Sequence, residues 1–198
     1  MSKTKGSFLI IIILLSTLPS FALSPVSLFL EYTSPFLMSY DTSGDHLVYF
    51  DSSAFGIGAQ YNIPINSNLE GDIGAVYYLP RTISLASSEG NSHSRITNGS
   101  MNYLPLFGRI KFTFNPESDM KIYVGTELKY TLISVGGKYF DGVNTNDRLG
   151  FGGFAGINII NGFGLEAGTV IQNGSIEYKD SNVEFVDLST YIRANYSF

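Results

Sequence analysis

The chain has no cysteine and no tryptophan. Without cysteine, no disulfide can brace an exported fold and no lipidated thiol can tether it. Charge is scarce as well: Asp, Glu, Lys and Arg make up 15% of 198 residues and sum to a net charge of −5, which leaves no basic surface for nucleic acid. Past the first two dozen residues, no apolar run approaches the roughly 20 residues that a spanning helix needs. A chain of this kind that lives in a membrane has to cross it as a closed barrel. No glycine-rich phosphate loop, no metal-ligating cluster and no internal repeat is present, so the sequence calls for no cofactor and no metal.

What is present begins with a leader. Lys3 and Lys5 precede an apolar run from Phe8 to Leu15, followed by Pro19 and the small-residue pattern Ser20-Phe21-Ala22. This predicts a secretory signal peptide over 1–22, cut after Ala22, and a mature single domain over 23–198. The apolar core is too short for a membrane anchor.

The chain is rich in Gly, Tyr and Phe (21, 13 and 15 residues over its full length), a composition suited to strands. The mature part alternates with a period of two, the period of a strand. In "AFGIGAQYNI", Phe55, Ile57, Ala59, Tyr61 and Ile63 alternate with Gly56, Gly58, Gln60 and Asn62. In "NLEGDIGAVYYL", Leu69, Ile73, Ala75, Tyr77 and Leu79 alternate with Glu70, Asp72 and Gly74. "YLPLFGRIKFTF" sets Leu106, Ile110, Phe112 and Phe114 against Arg109, Lys111 and Thr113, and "KIYVGTELKYTL" sets Val124, Leu128 and Tyr130 against Glu127 and Lys129. With "SPVSLFLEYTSPFL", "LGFGGFAGINI", "FGLEAGTVIQ" and the closing "DLSTYIRANYSF", about eight strands are predicted.

Their connections alternate in length. Residues 64–67, 115–119 and 160–162 are short turns of Pro, Asn, Asp and Gly; 39–52, 80–101, 134–146 and 173–182, where the alternation stops, are predicted as long loops. Short and long connections thus fall at opposite ends of an antiparallel up-and-down meander, with both termini at the short-turn end. A soluble exported barrel would share the meander. The two faces favour the membrane: the polar face is small residues plus charges of both signs, and the apolar face carries the bulk. Its aromatics gather into two bands, Tyr61, Phe112, Phe114, Phe163, Tyr196 and Phe198 toward the short turns, and Tyr32, Tyr77 and Tyr130 toward the long connections, as lipid-interface girdles do.

The final strand ends in alternating apolar residues up to Tyr196 and the terminal Phe198. In this it resembles the small OmpA/OmpX-type outer-membrane β-barrel proteins, although Arg193 stands where a Gly is common in that class. The resemblance implies an all-β, eight-stranded antiparallel transmembrane barrel in the cell outer membrane of a Gram-negative bacterium. It implies Tyr196 and Phe198 as the insertion signal read by the β-barrel assembly machinery, with outer-membrane lipid and lipopolysaccharide around a monomer.

The polar face of such a barrel collects Glu31, Glu70, Asp72, Glu127 and Glu166 with Arg109, Lys111, Lys129 and Arg193. In a narrow lumen these charges are expected to pair into a plug, because an unpaired buried charge costs several kcal/mol. Closure makes the first and last strands neighbours, which brings Glu31 and Arg193 to one depth. The reading is a non-enzymatic barrel with a plugged lumen and a structural or surface-interaction role. A narrow pore is one alternative. A lipid-modifying barrel enzyme of the acyltransferase or deacylase type is another, but such enzymes pair a His with a Ser on a strand, and the two histidines, His46 and His93, fall in segments read as loops.

Overall fold

The computed structural model describes residues 25–39, 46–50, 53–89, 92–136, 143–145, 147–159, 162–178 and 181–198. The leader predicted over 1–22 lies outside the described residues. Eleven strands occur in chain order: β1 (Val26–Ser39), β2 (His46–Phe50), β3 (Ala54–Pro64), β4 (Leu69–Tyr78), β5 (Arg81–Glu89), β6 (Ser92–Thr113), β7 (Lys121–Gly136), β8 (Val143–Thr145), β9 (Arg148–Asn158), β10 (Phe163–Tyr178) and β11 (Ser181–Ser197).

Eight of them close a ring. The order β1, β3, β4, β6, β7, β9, β10, β11 returns to β1, and every neighbouring pair is antiparallel. The seam joins the first and last strands over thirteen register pairs, from Ser27 opposite Ser197 to Ser39 opposite Phe185. Closure removes the sheet edge, which is the condition for strands to stand in lipid.

In two of the connections at one end, side chains supply hydrogen bonds to the turn backbone. Asn66 accepts from the amides of Asn68 and Leu69, both at 2.9 Å. Asn115 accepts from the Ile122 amide at 2.7 Å and donates to the Met120 carbonyl at 2.5 Å. Gly162, with φ of 80°, makes the third turn in a conformation that a side chain would strain.

The other end departs from the loops read in the sequence. Within 80–101 the chain is a β-hairpin: β5 pairs with the first part of β6 from Arg81–Met101 to Glu89–Ser92, and β2 adds to the free side of β5. Likewise β10 and β11 stay paired up to Tyr178–Ser181, and β8 lies against the tip of β10. The alternation stops there while the strands continue. A strand that has left the bilayer has water on both faces, so nothing requires one face to be apolar. The same correction applies to the histidines, whose backbones sit in β2 opposite Ser87 and in β6 opposite Ser88.

Outside the ring, apolar side chains stand free. Leu30, Phe55, Ile57, Phe151 and Ile192 are each 60 to 63% exposed. Toward the short turns, aromatics pair edge to face, Phe112 with Phe114 at 5.3 Å and Tyr196 with Phe198 at 5.2 Å between centroids; Tyr32 and Phe55 pair at 5.0 Å higher up. An apolar belt on this scale is stable against acyl chains and not against water.

Candidate functional site

Inside the ring the alternation delivers the opposite set. Glu31, Asp72, Arg109, Lys111, Glu127, Lys129, Glu166 and Arg193 are buried, and Glu70 is partly buried at the short-turn mouth. Arg193 on β11 binds Glu31 of β1 through Nε at 2.8 Å and Nη2 at 2.5 Å. Glu31 also accepts from the Tyr78 hydroxyl and lies 3.9 Å from the Lys129 ammonium. Arg109 on β6 reaches Glu166 of β10 at 2.5 Å and Glu127 of β7 at 3.7 Å, while Lys129 lies 3.5 Å from Glu127. Gln60 accepts from both arginines, at 3.3 and 3.5 Å.

Several of these contacts cross the barrel. Around the ring β7 stands four strands from β1, and so do β11 and β6. The approach of Lys129 to Glu31 and that of Arg193 to the Phe107 ring, at 4.9 Å, therefore bridge opposite walls.

Aromatics make the second part of the interior, and here the sequence reading has to be corrected. It assigned the bulk to the outer face, whereas Phe29, Tyr78, Tyr103 and Phe107 fill one side of the lumen, and Tyr123, Phe154 and Tyr191 the other. The cations lie between these clusters. Arg109 sits 3.6 Å from the Phe154 centroid, Arg193 4.1 Å from Phe29, and Lys129 5.0 Å from Tyr191. Rings at this range offer a desolvated cation the partner that water would otherwise be.

Room for the rings comes from the neighbouring strand. Phe29 faces Gly58, Phe107 faces Gly74, Phe154 faces Gly125, Tyr123 faces Gly156 and Tyr191 faces Gly168 in register. A Cβ added at Gly74, Gly156 or Gly168 would come within 2.5 Å of its ring, and one at Gly58 or Gly125 closer still. Each ring thus lies flat across a glycine and reaches toward the axis.

A separate polar layer lines the short-turn mouth. Ser197 and Ser27 hydroxyls meet at 2.7 Å, Ser27 donates to Asn62 at 2.9 Å, Asn62 donates to Glu70 at 2.8 Å, and Lys111 binds Glu70 at 2.5 Å. The sequence reading left out Arg148, which is buried beneath the long-connection end and lies 6.0 Å from the Tyr103 ring. Its parity with Gly150, Gly152 and Phe154 on β9 is the signal that would have placed it inside. Tyr196 and Phe198 stand on the outer face, 46% and 64% exposed, away from the lumen.

A ring of eight antiparallel staves with an apolar exterior and a charged, aromatic interior defines a transmembrane β-barrel of the small outer-membrane type. No family model and no curated protein matches the chain. Its fold is similar to the crystal structure of the outer membrane protein OprG from Pseudomonas aeruginosa, with a TM-score of 0.61 and 14% identity over 89% of this chain and 97% of that one. It is also similar to the outer membrane protein AlkL, solved by solid-state NMR in DMPC lipid bilayers, with a TM-score of 0.55 and 12% identity over 92% and 93% of the two chains. At such identity the likeness establishes the fold.

Proposed function

We propose that this protein is a non-enzymatic outer-membrane barrel with a sealed lumen, whose working surface is the set of strands that continues beyond the long-connection end. The observation that carries the reading is the bridging of opposite walls by Lys129 to Glu31 and Arg193 to Phe107, with Arg109 reaching Glu166 three strands away. An eight-stranded ring is only just wide enough for side chains to fill, and these side chains fill it. In this reading the paired lumen charges hold the barrel closed, and outer-membrane lipid and lipopolysaccharide surround a monomer. The leader over 1–22 is cleaved after export, and Tyr196 and Phe198 present the last strand to the assembly machinery.

The test is planar-bilayer recording of the refolded protein, together with lipid analysis of cells that overproduce it. No stable conductance and an unchanged acyl-chain pattern are expected. Large, long-lived conductance steps would replace this reading with a narrow pore, and a newly acylated or deacylated lipid would replace it with a lipid-modifying enzyme.

A further inference from the structure

One lumen carboxylate stands apart from the network. Asp72 is 1% exposed, and neither of its oxygens meets an N–H, hydroxyl or ammonium donor; its one hydrogen-bonding contact is with the Glu70 carboxyl group. Among the described residues it also takes part in no ion pair, unlike the other four lumen acids. The charged groups around it are few. Its cross-strand neighbour on β6 is Arg109, which turns away to Glu166 and Glu127 and lies over Phe154. Lys111, also on β6, is bonded to Glu70 and lies 5.2 Å from the Tyr123 ring. On its own strand Asp72 faces the Glu70 carboxyl group two residues away, and on β3 it stands opposite Asn62. Once Arg109 is committed across the lumen, two carboxylates share one ammonium at this end.

We propose that Glu70 and Asp72 form a binding site for a small, oxygen-seeking cation that enters from the short-turn mouth. The donor set is of the right chemistry. Neither Asp72 oxygen meets a donor, Glu70 has a second oxygen beyond the one held by Lys111 and Asn62, the two carboxyl groups lie at hydrogen-bonding range of each other, and the Asn62 carbonyl oxygen accepts from Ser27. Carboxylate and amide oxygens of this kind suit Ca2+ or Mg2+ rather than a soft metal. Access follows from exposure: the Glu70 side chain is 30% exposed at the mouth, directly above Asp72. A bound cation would give a direct counter-charge to the one lumen carboxylate that, among the described residues, no cation contacts.

The experiment uses the full mature chain, refolded in detergent, freed of metal with chelator and held at constant ionic strength. Thermal unfolding is followed while Ca2+ or Mg2+ is added, and Tb3+ luminescence sensitised by the lumen tyrosines reports occupancy directly. A saturable rise in Tm is expected, weakened roughly tenfold or more in apparent affinity by the near-isosteric Asp72→Asn, given that loss of even a group that only orients a ligand commonly costs about 10- to 100-fold. Lys111→Met removes the competing ammonium and should tighten binding. The proposal fails if the wild type shows no saturable response, or if Asp72→Asn leaves the response unchanged. It also fails if Lys111→Met lowers stability in a way that added cation does not restore, because Lys111 would then be the counter-ion of Asp72.

Discussion

Arg193 is fully buried, and every face of its guanidinium is used: two nitrogens on Glu31, a third 3.5 Å from Gln60 and 3.7 Å from Glu166, and the plane close to Phe29. A planar fork that donates in several directions while stacking on a ring is what separates arginine from lysine. Replacing Arg193 by Ala removes the principal partner of Glu31 but leaves it the Tyr78 hydroxyl and the Lys129 ammonium. The loss should therefore fall toward the lower end of the roughly 3 to 5 kcal/mol seen when a buried pair is broken from one side. Denaturant unfolding of the refolded barrel measures it. Removing both charges, as Arg193→Met with Glu31→Gln, should recover part of that loss, because no orphaned carboxylate remains. A double variant less stable than Arg193→Ala would mean that the pair contributes more than mutual neutralisation.

At the scale of the strand, the recurring unit is a ring laid over a glycine on its neighbour. Gly168 and Gly153 separate this unit from ordinary glycine. A Cβ at Gly168 would press on the Tyr191 ring at 2.5 Å, whereas at Gly153, on the outer face, the nearest atom is 3.7 Å away. Gly168→Ala should cost about 1 to 3 kcal/mol, the usual range for overpacking, and Gly153→Ala should be close to neutral. Pairing Gly168→Ala with Tyr191→Leu should destabilise by less than the sum of the two, since both act on one contact. Additive losses would show that ring and glycine are not coupled. The same unit explains what the sequence could and could not reveal. The eight staves, their antiparallel order and the inward parity of Arg109, Glu127 and Lys129 all follow from a period of two within single strands. The ring on glycine does not, because it joins residues on two strands and depends on their register. In "SLFLEY" Leu28, Phe29 and Leu30 are equally apolar; parity with Glu31 puts Phe29 inside, but that its ring has room there depends on Gly58 across the pair. The hairpin over 81–101 was hidden for a related reason, since a strand wet on both faces carries no alternation to read.

At the scale of the whole molecule, the ring has two unlike ends. One has three tight turns, both described chain ends and a polar mouth running from Ser197 to Lys111. The other carries the paired extensions of β5 with β6 and β10 with β11. An apolar belt lies between them, so only one pair of orientations is open to the barrel, and short turns facing the periplasm is the arrangement of bacterial outer-membrane barrels. An epitope inserted at Glu117, an exposed residue of the β6–β7 turn, should be reached by antibody only after the outer membrane is permeabilised. A protease site placed between Glu89 and Ser92, the link of the β5–β6 hairpin, should be cut on intact cells, since loop tips outside the membrane are where nicking concentrates. The nick lies beyond the closed ring, so the cleaved protein should keep the compact migration of an unheated barrel and separate into two fragments only on boiling. If Glu117 is reached on intact cells while the Glu89–Ser92 site is protected, the orientation is reversed and the extended strands belong to the periplasm. If the nick releases fragments without heating, β5 and the outer part of β6 are not an appendage to the ring but part of what holds it closed.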